Sequence, residues 1–409
     1  MSDTPDTPPQ PDNAPEPQKS GFLSRVRSLW GKVPLKWQHY AGALVLALLV
    51  WLLTGKKELP PLPIEAKPPD GWEHRPDEIK AAMQEMEKSQ GLPAVFSEYA
   101  AKIAQDAGGD NDQAVFFWDF EQKVLGKLIP CWNQGQVGSC VAHGGGRSAM
   151  DLILSQCARD GEEWQGWEVD RCANYGGMRV QIGGGRISGD GGVNAWMVKW
   201  FQSYGVIFAK KYPNIDLTTY SETLCRQLGR SGCPKYLEPE ARLHPIKTVA
   251  QVNSSDEVWT AIGSIYPVPI ASNVGFDTPL RGGFCTERGS WGHEMCIRGR
   301  FIDASSANRG KCFVIQNSWG DYLRSDGTNN VITYVGADGK PAQKTLPIGC
   351  FAVTASSVQR IVKQGDSFAI SGFVGFPPQK IDWFLKANPA NPPALARNCN
   401  REPAYPLGN

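Results

Sequence analysis

Residues 118–154 read WDFEQKVLGKLIPCWNQGQVGSCVAHGGGRSAMDLIL, and this stretch decides the fold prediction. A loop rich in glycine and glutamine ends at Ser139, a good N-cap residue, and a helical pattern begins there. Cys140 therefore falls in the first helical turn, where unpaired backbone N–H groups and the helix dipole stabilise a thiolate. The pattern predicts a thiol with a pKa below its ordinary value. The alternative is a buried cysteine that acts as a small apolar residue, which is the commoner case.

The composition predicts a folded and nearly neutral protein. Of 409 residues, 41% are hydrophobic and 10% aromatic, which is enough for a sizeable core and excludes wholesale disorder. The 42 basic and 41 acidic side chains leave a formal charge of +1, so we expect no nucleic-acid partner. Eleven cysteines are an odd number, so at least one thiol stays unpaired within the chain.

The first 113 residues divide into three segments. Residues 1–36 form a proline-rich tail, which we expect to be disordered, followed by a basic stretch. Residues 37–55 contain an apolar run at the lower edge of the length of a membrane span. Residues 56–113 comprise a proline-rich spacer and two short amphipathic helices within 77–106, broken near Gly91.

The apolar run is best explained as an uncleaved anchor. A buried helix of a soluble domain would show polar residues at helical period, and a cleaved signal peptide would show small residues at its cleavage site. The run shows neither pattern. We therefore expect residues 37–55 to cross the lipid bilayer once. The N-terminus would be cytoplasmic, because four basic residues precede the run and two follow it, and the remainder would be periplasmic or extracellular.

Four motifs follow one another in a fixed order over some 200 residues. They are QGQVGSC at 134–140, SGDGGVNAWMVKWFQSYGV at 188–206, SWGHEMCIRGRF at 290–301 and CFVIQNSWG at 312–320. Together they resemble the papain-like cysteine peptidases, whose motifs are Gln-Gly-x-x-Gly-Ser-Cys, Gly-Gly, Gly-His and Asn-Ser-Trp-Gly. The resemblance covers residues 114–362, and residues 363–409 form a proline-rich tail. Two bridging cysteines of many members are replaced by Val137 and Gly189, which is more similar to bacterial or phage-type members.

The resemblance implies an α+β, two-lobed fold, with a helical lobe that carries Cys140 facing a β-barrel-like lobe. It implies that Cys140 is the nucleophile, His293 its base and Asn317 the residue that orients the imidazole. The side-chain amide of Gln134 would form the oxyanion hole together with the Cys140 backbone N–H.

The resemblance also implies how a substrate is held. Gly191 and Gly192 would pair with an extended peptide backbone, and Trp319 would shield the contact between His293 and Asn317 from water. The predicted protein is therefore a membrane-anchored cysteine endopeptidase that acts on peptides or proteins without a cofactor. Because no C-x-x-C pair occurs in the chain, we expect no metal site.

Several alternatives stay open on sequence alone. Gly144–Gly146 cost about 1 kcal/mol each in a helix, so either a neighbour packs very close there or the helix is distorted. A degraded site would make the protein an inactive binding module, and a thiol acyl transferase or cell-wall amidase would use the same triad. Glu294 would either raise the pKa of His293 or, more commonly, point to solvent. Helices within 77–106 would be a spacer, which we favour, or a shortened inhibitory pro-segment.

Overall fold

The computed structural model describes five stretches of the chain: 70–106, 114–306, 309–320, 330–377 and residue 379. The anchor predicted at 37–55 lies outside the described residues. Within the described stretches, no helix has both the length and the apolar character that a membrane crossing requires.

Two helices precede the motif region, as the sequence predicts. Helix α1 (Pro76–Gln90) begins with a proline and acidic residues in its first turn, and Gly91 ends it with a left-handed φ of 62°. Helix α2 (Ser97–Asp106) follows after a short turn. Both helices pack on the domain, since α1 buries Ile79 and Met86 in its core. This part of the chain is therefore packed on the domain, whether it serves as the spacer or as the shortened pro-segment.

The nucleophile candidate lies on the central helix of the helical layer. The helices of this layer are, in chain order, α3 (Phe117–Leu125), α4 (Cys140–Asp160), α5 (Cys172–Gly176), α6 (Asn194–Ser203), α7 (Glu222–Ser231) and α8 (Glu238–Ala241). A π-helical segment, Gly177–Ile182, extends α5. Helix α4 is buried around most of its circumference, because helices pack on one side of it and the sheet packs on the other.

Among the described residues, seven strands form one mixed sheet. They are β1 (Val115–Phe116), β4 (Thr248–Gln251), β5 (Val268–Arg281), β6 (Phe284–Ile302), β7 (Lys311–Gln316), β10 (Cys350–Thr354) and β11 (Asp366–Ser371). Their order is β10-β7-β6-β5-β11-β4, and β1 pairs with β6. Two hairpins lie apart from this sheet: β2 (Lys211–Tyr212) with β3 (Ile215–Asp216), and β8 (Val331–Val335) with β9 (Pro341–Thr345). Helices α9 (Ser255–Gly263) and α10 (Ala355–Val362) pack on the sheet.

The described residues form one compact unit with two main hydrophobic cores. One core lies mainly among the helices and includes Trp72, and the other lies mainly on the sheet. This arrangement confirms the predicted α+β class. The unit extends the predicted 114–362 domain at both ends, because residues 70–106 pack on it and β11 pairs with β4 and β5.

A buried cluster of charges fixes α4 to α3 and to the sheet. Glu121 on α3 lies 2.5 Å from Arg147 on α4 and 2.7 Å from Arg298 on β6. Arg298 also lies 3.0 Å from Asp151 on α4. All four side chains are at most 4% exposed. Because burial removes the hydration of each charge, the opposite charges must compensate for that loss.

The ten described cysteines are all free thiols. Two of them, Cys172 on α5 and Cys225 on α7, are neighbours, and the Cys225 thiol together with burial raises the pKa of Cys172. The sequence left the pairing of the cysteines open, and these two are neighbours that lie on different helices.

Candidate active site

Cys140 is the first residue of α4, at the position that the sequence predicts. Ser139 is the N-cap residue, as predicted, but its side chain makes no cap hydrogen bond, and its hydroxyl lies 3.2 Å from the Tyr220 hydroxyl. Helix α4 packs against β6, where a Cβ atom on Gly144 would lie 2.9 Å from Cγ of Glu294, the residue that directly follows His293. The start of the helix therefore meets the strand that carries His293.

His293 and Asn317 are brought together by neighbouring strands. His293 lies on β6, and Asn317 directly follows β7, which pairs with β6. The Nε2 atom of His293 lies 2.7 Å from Oδ1 of Asn317. The Trp319 ring lies against the imidazole at an interplanar angle of 37° and a centroid distance of 4.4 Å, and all three side chains are buried. An oxygen acceptor and an aromatic cover hold the imidazole in one orientation away from water.

Gln134 is fixed beside Asn317. Its Oε1 accepts a hydrogen bond of 2.7 Å from the Ser318 hydroxyl, and its backbone N–H donates to the Ser318 carbonyl at 2.9 Å. Its Nε2 donates to the Val137 carbonyl at 3.0 Å. These bonds fix the side-chain amide of Gln134, a group of the kind that can donate to an oxyanion.

Glu294 is fully buried, which overturns the expectation that it points to solvent. Its side chain lies against α4 at the glycine run. A Cβ atom on Gly144 would lie 2.9 Å from Glu294 Cγ, and one on Gly145 would lie 2.7 Å from Met197 Cγ. The glycines therefore permit the close approach of α4 to β6 and α6. Burial raises the pKa of Glu294 well above its ordinary value, and the nearby charge of Asp366 acts in the same direction.

Residues Asp70–Glu73 cross the site directly over the cysteine. The backbone N–H groups of Gly71 and Trp72 both donate to the Gly292 carbonyl at 2.9 Å. On the other side, Gly192 N–H donates to the Gly71 carbonyl at 2.8 Å and the Gly192 carbonyl accepts from Glu73 N–H at 2.9 Å. The segment is thus held by backbone bonds between Gly192 and Gly292. We call residues 70–73 the cleft segment.

Gly71 is the residue of the cleft segment that lies against the thiol. A Cβ atom there would lie 2.9 Å from Cys140 Sγ and still closer to the Gly138 carbonyl oxygen. Cys140 is 0% exposed beneath it. Burial raises the pKa of the Cys140 thiol, and the carboxyl groups of Glu294 and Asp70 add to this effect. The predicted lowering of the pKa is therefore wrong for this arrangement, because burial outweighs the stabilisation by the helix N-terminus.

Gly191 and Gly192 lie where a peptide backbone can approach. Gly191 has a φ of 130°, a left-handed value that favours glycine, and its N–H donates to the Tyr175 hydroxyl at 2.8 Å. Gly192 forms a parallel bridge with Trp72. Sequence reasoning missed the cleft segment, although a tryptophan after a glycine is unusual in a hydrated proline-rich spacer and was the available signal.

Comparisons with known proteins give only distant likenesses. No protein-family model matches the chain, and no curated protein matches it. Among solved structures it is similar to xylellain, a cysteine protease from Xylella fastidiosa, at 16% identity over 63% of this chain and 85% of that chain, with a TM-score of 0.42. It is similar to procathepsin L2 from Tenebrio molitor larval midgut at 14% identity over 85% and 98% of the two chains, with a TM-score of 0.43.

A third similar structure is the bromelain protease of Ananas comosus in complex with the E64 inhibitor. Its identity is 15% over 63% of this chain and 98% of that chain, with a TM-score of 0.35. Likenesses at these scores carry no argument about activity. The function of this chain is therefore inferred from its own residues.

Gly144→Ala tests the close approach of α4 to β6. The added methyl group would meet Glu294 Cγ and, at 3.1 Å, the Met295 carbonyl oxygen. We expect a loss of about 1–3 kcal/mol in the free energy of unfolding despite the better helix propensity of alanine. Chemical denaturation measures this, with Gly189→Ala as control, since nothing lies within 4 Å of a Cβ there. Equal stability of the two variants would show that the glycines are not needed for packing.

Proposed function

We propose that the chain is a papain-like cysteine peptidase of the bacterial or phage type that hydrolyses peptide bonds in peptides or proteins. The observation that carries this proposal is the contact of His293 Nε2 with Asn317 Oδ1 at 2.7 Å, beside a cysteine at a helix N-terminus. Gly71 lies against the Cys140 sulfur and donates its N–H to the carbonyl of Gly292, the residue directly before His293. A nucleophile, a base and an orienting group thus occupy one buried place.

The reaction follows from these positions. His293 takes the thiol proton, and the Cys140 sulfur forms a bond to the scissile carbonyl carbon. The oxyanion is stabilised by the Cys140 backbone N–H and the side-chain amide of Gln134, where one donor is worth about 2.7–4 kcal/mol. His293 returns its proton to the amine as the C–N bond breaks, and water then hydrolyses the thioester. Each step uses groups of the chain and water, so no cofactor is required.

The cleft segment inhibits the same site in this proposal. Both backbone groups of Gly192 are bonded to the segment, so a substrate cannot pair with Gly192 until the segment leaves. Gly71 covers the sulfur, and α1 anchors the following residues to the domain. The supported role of residues 70–106 is therefore that of a compact inhibitory pro-segment.

Gly71→Ala in the full-length chain tests the inhibition. A methyl group at this position would collide with Gly138 and Cys140, so we expect the segment to leave the cleft. Overpacking of about 1–3 kcal/mol corresponds to a rise in peptide hydrolysis of roughly 5- to 150-fold. The amides of residues 71–73 should exchange with deuterium faster, while Gly189→Ala should behave as the unchanged chain. A Gly71→Ala chain with unchanged activity and unchanged exchange would rule out this inhibition.

Cys140→Ala in the Gly71→Ala chain tests the activity itself. We expect hydrolysis of a fluorogenic peptide library to fall by at least about a thousandfold, because the nucleophile is lost. Cys157→Ala removes a thiol from the same helix and should keep the activity. The Gly71→Ala chain itself retains Cys140. If a peptide epoxide labels Cys140 in that chain but no peptide is cleaved, the acyl transferase or cell-wall amidase is favoured. If the Gly71→Ala chain shows no labelling and no cleavage, the binding module is favoured.

We also propose that residues 37–55 anchor the peptidase in the lipid bilayer with its catalytic part outside the cytoplasm. The apolar run and the excess of basic residues before it support this. When protease is added to intact bacterial spheroplasts that carry the full-length chain, residues 60–409 should be digested. A control protein that is located in the cytoplasm should stay intact. Protection of residues 60–409 would contradict this orientation.

A further inference from the structure

We propose that Asp366 makes this peptidase select substrates that carry a side chain with N–H donors, arginine or lysine above all, in the pocket beside Gly192. This inference rests on the proposed peptidase function and names its substrate class. The pocket is the one that Trp72 of the cleft segment fills in the structure. Asp366 was not among the residues that the sequence motifs indicated.

Trp72 shows what the pocket accepts. Its side chain is 5% exposed and belongs to the helical core. Its indole Nε1 donates a hydrogen bond of 2.7 Å to Oδ2 of Asp366, which is itself fully buried. The pocket therefore takes a large flat side chain with an N–H group directed at its acidic end.

Asp366 is held rigidly in this position. Its Oδ2 accepts the backbone N–H of Asn194 at 2.9 Å, and its Oδ1 accepts that of Ala195 at 2.8 Å. Both residues lie at the start of α6, two and three residues after Gly192. The carboxyl group thus has a fixed place relative to the backbone that a substrate would pair with. Burial raises the pKa of Asp366 to about 6, so at neutral pH it is mainly ionised.

The charge of Asp366 is the reason to expect a basic side chain. Among the described residues, the hydrogen bonds to its carboxylate come from neutral N–H groups, those of Trp72, Asn194 and Ala195. A guanidinium or ammonium group would add a charge-assisted bond in a site excluded from water. Leucine or valine would displace Trp72 and leave a buried carboxylate without that donor, which costs binding free energy.

The first test uses the full-length chain and needs no peptidase activity. We would measure the rate at which iodoacetamide alkylates Cys140, located by peptide mapping, in Trp72→Arg and Trp72→Leu. Arginine should keep the segment bound and the rate near that of the unchanged chain, while leucine should raise the rate about tenfold or more. Adding Asp366→Asn to the Trp72→Arg chain should raise the alkylation rate. The same substitution in the unchanged chain should raise that rate much less. Equal protection by arginine and leucine would overturn the inference.

The second test uses the Gly71→Ala chain and peptides that differ only at the position paired with Gly192. We expect kcat/KM for arginine, lysine or tryptophan to exceed that for leucine or valine by about tenfold or more. Efficient cleavage with a preference for leucine or valine would overturn this inference and leave the peptidase function standing. No cleavage of any peptide, with no epoxide labelling of Cys140, would overturn both.

Discussion

The close approach of α4 to β6 is the constraint on which the site depends. Gly144 and Gly145 leave room for Glu294 and Met197, so the helix can lie directly on the strand. The buried cluster of Glu121, Arg147 and Arg298 then fixes the two elements relative to each other. As a result the helix that begins at Cys140 lies against Glu294, the residue directly after His293. An ordinary helix interior would keep these groups apart by at least a side-chain layer.

In the proposed function, the same packing keeps the cysteine inactive in this arrangement. The cleft segment completes the enclosure of Cys140, and burial then raises the pKa of the thiol rather than lowering it. A neutral and covered thiol is a poor nucleophile. Removal of the segment would return water to the sulfur and expose Gly192 together, so access for substrate and activation of the thiol depend on one event.

The motif-bearing part of the site could be predicted from the sequence. The order of the four motifs indicated Cys140, His293, Asn317 and Trp319, and the structure brings the last three into contact. The glycine run pointed to a close neighbour. The identity of that neighbour was not predictable. Glu294 lies 150 residues after Gly144 in the sequence, and the direction of its side chain depends on strand register. Asp366 and Trp72 pair across 294 residues, a long-range contact that no local pattern encodes.

In the proposed function, Cys140 becomes a reactive thiolate beside His293 once the cleft segment is displaced. The most direct measurement is the pH dependence of Cys140 alkylation in the full-length Gly71→Ala chain, with and without His293→Ala. We predict a thiolate that titrates well below the ordinary value of about 8.5 when His293 is present, and a shift to higher pH when it is replaced. Indistinguishable titrations of the two chains near or above the ordinary value would contradict the account.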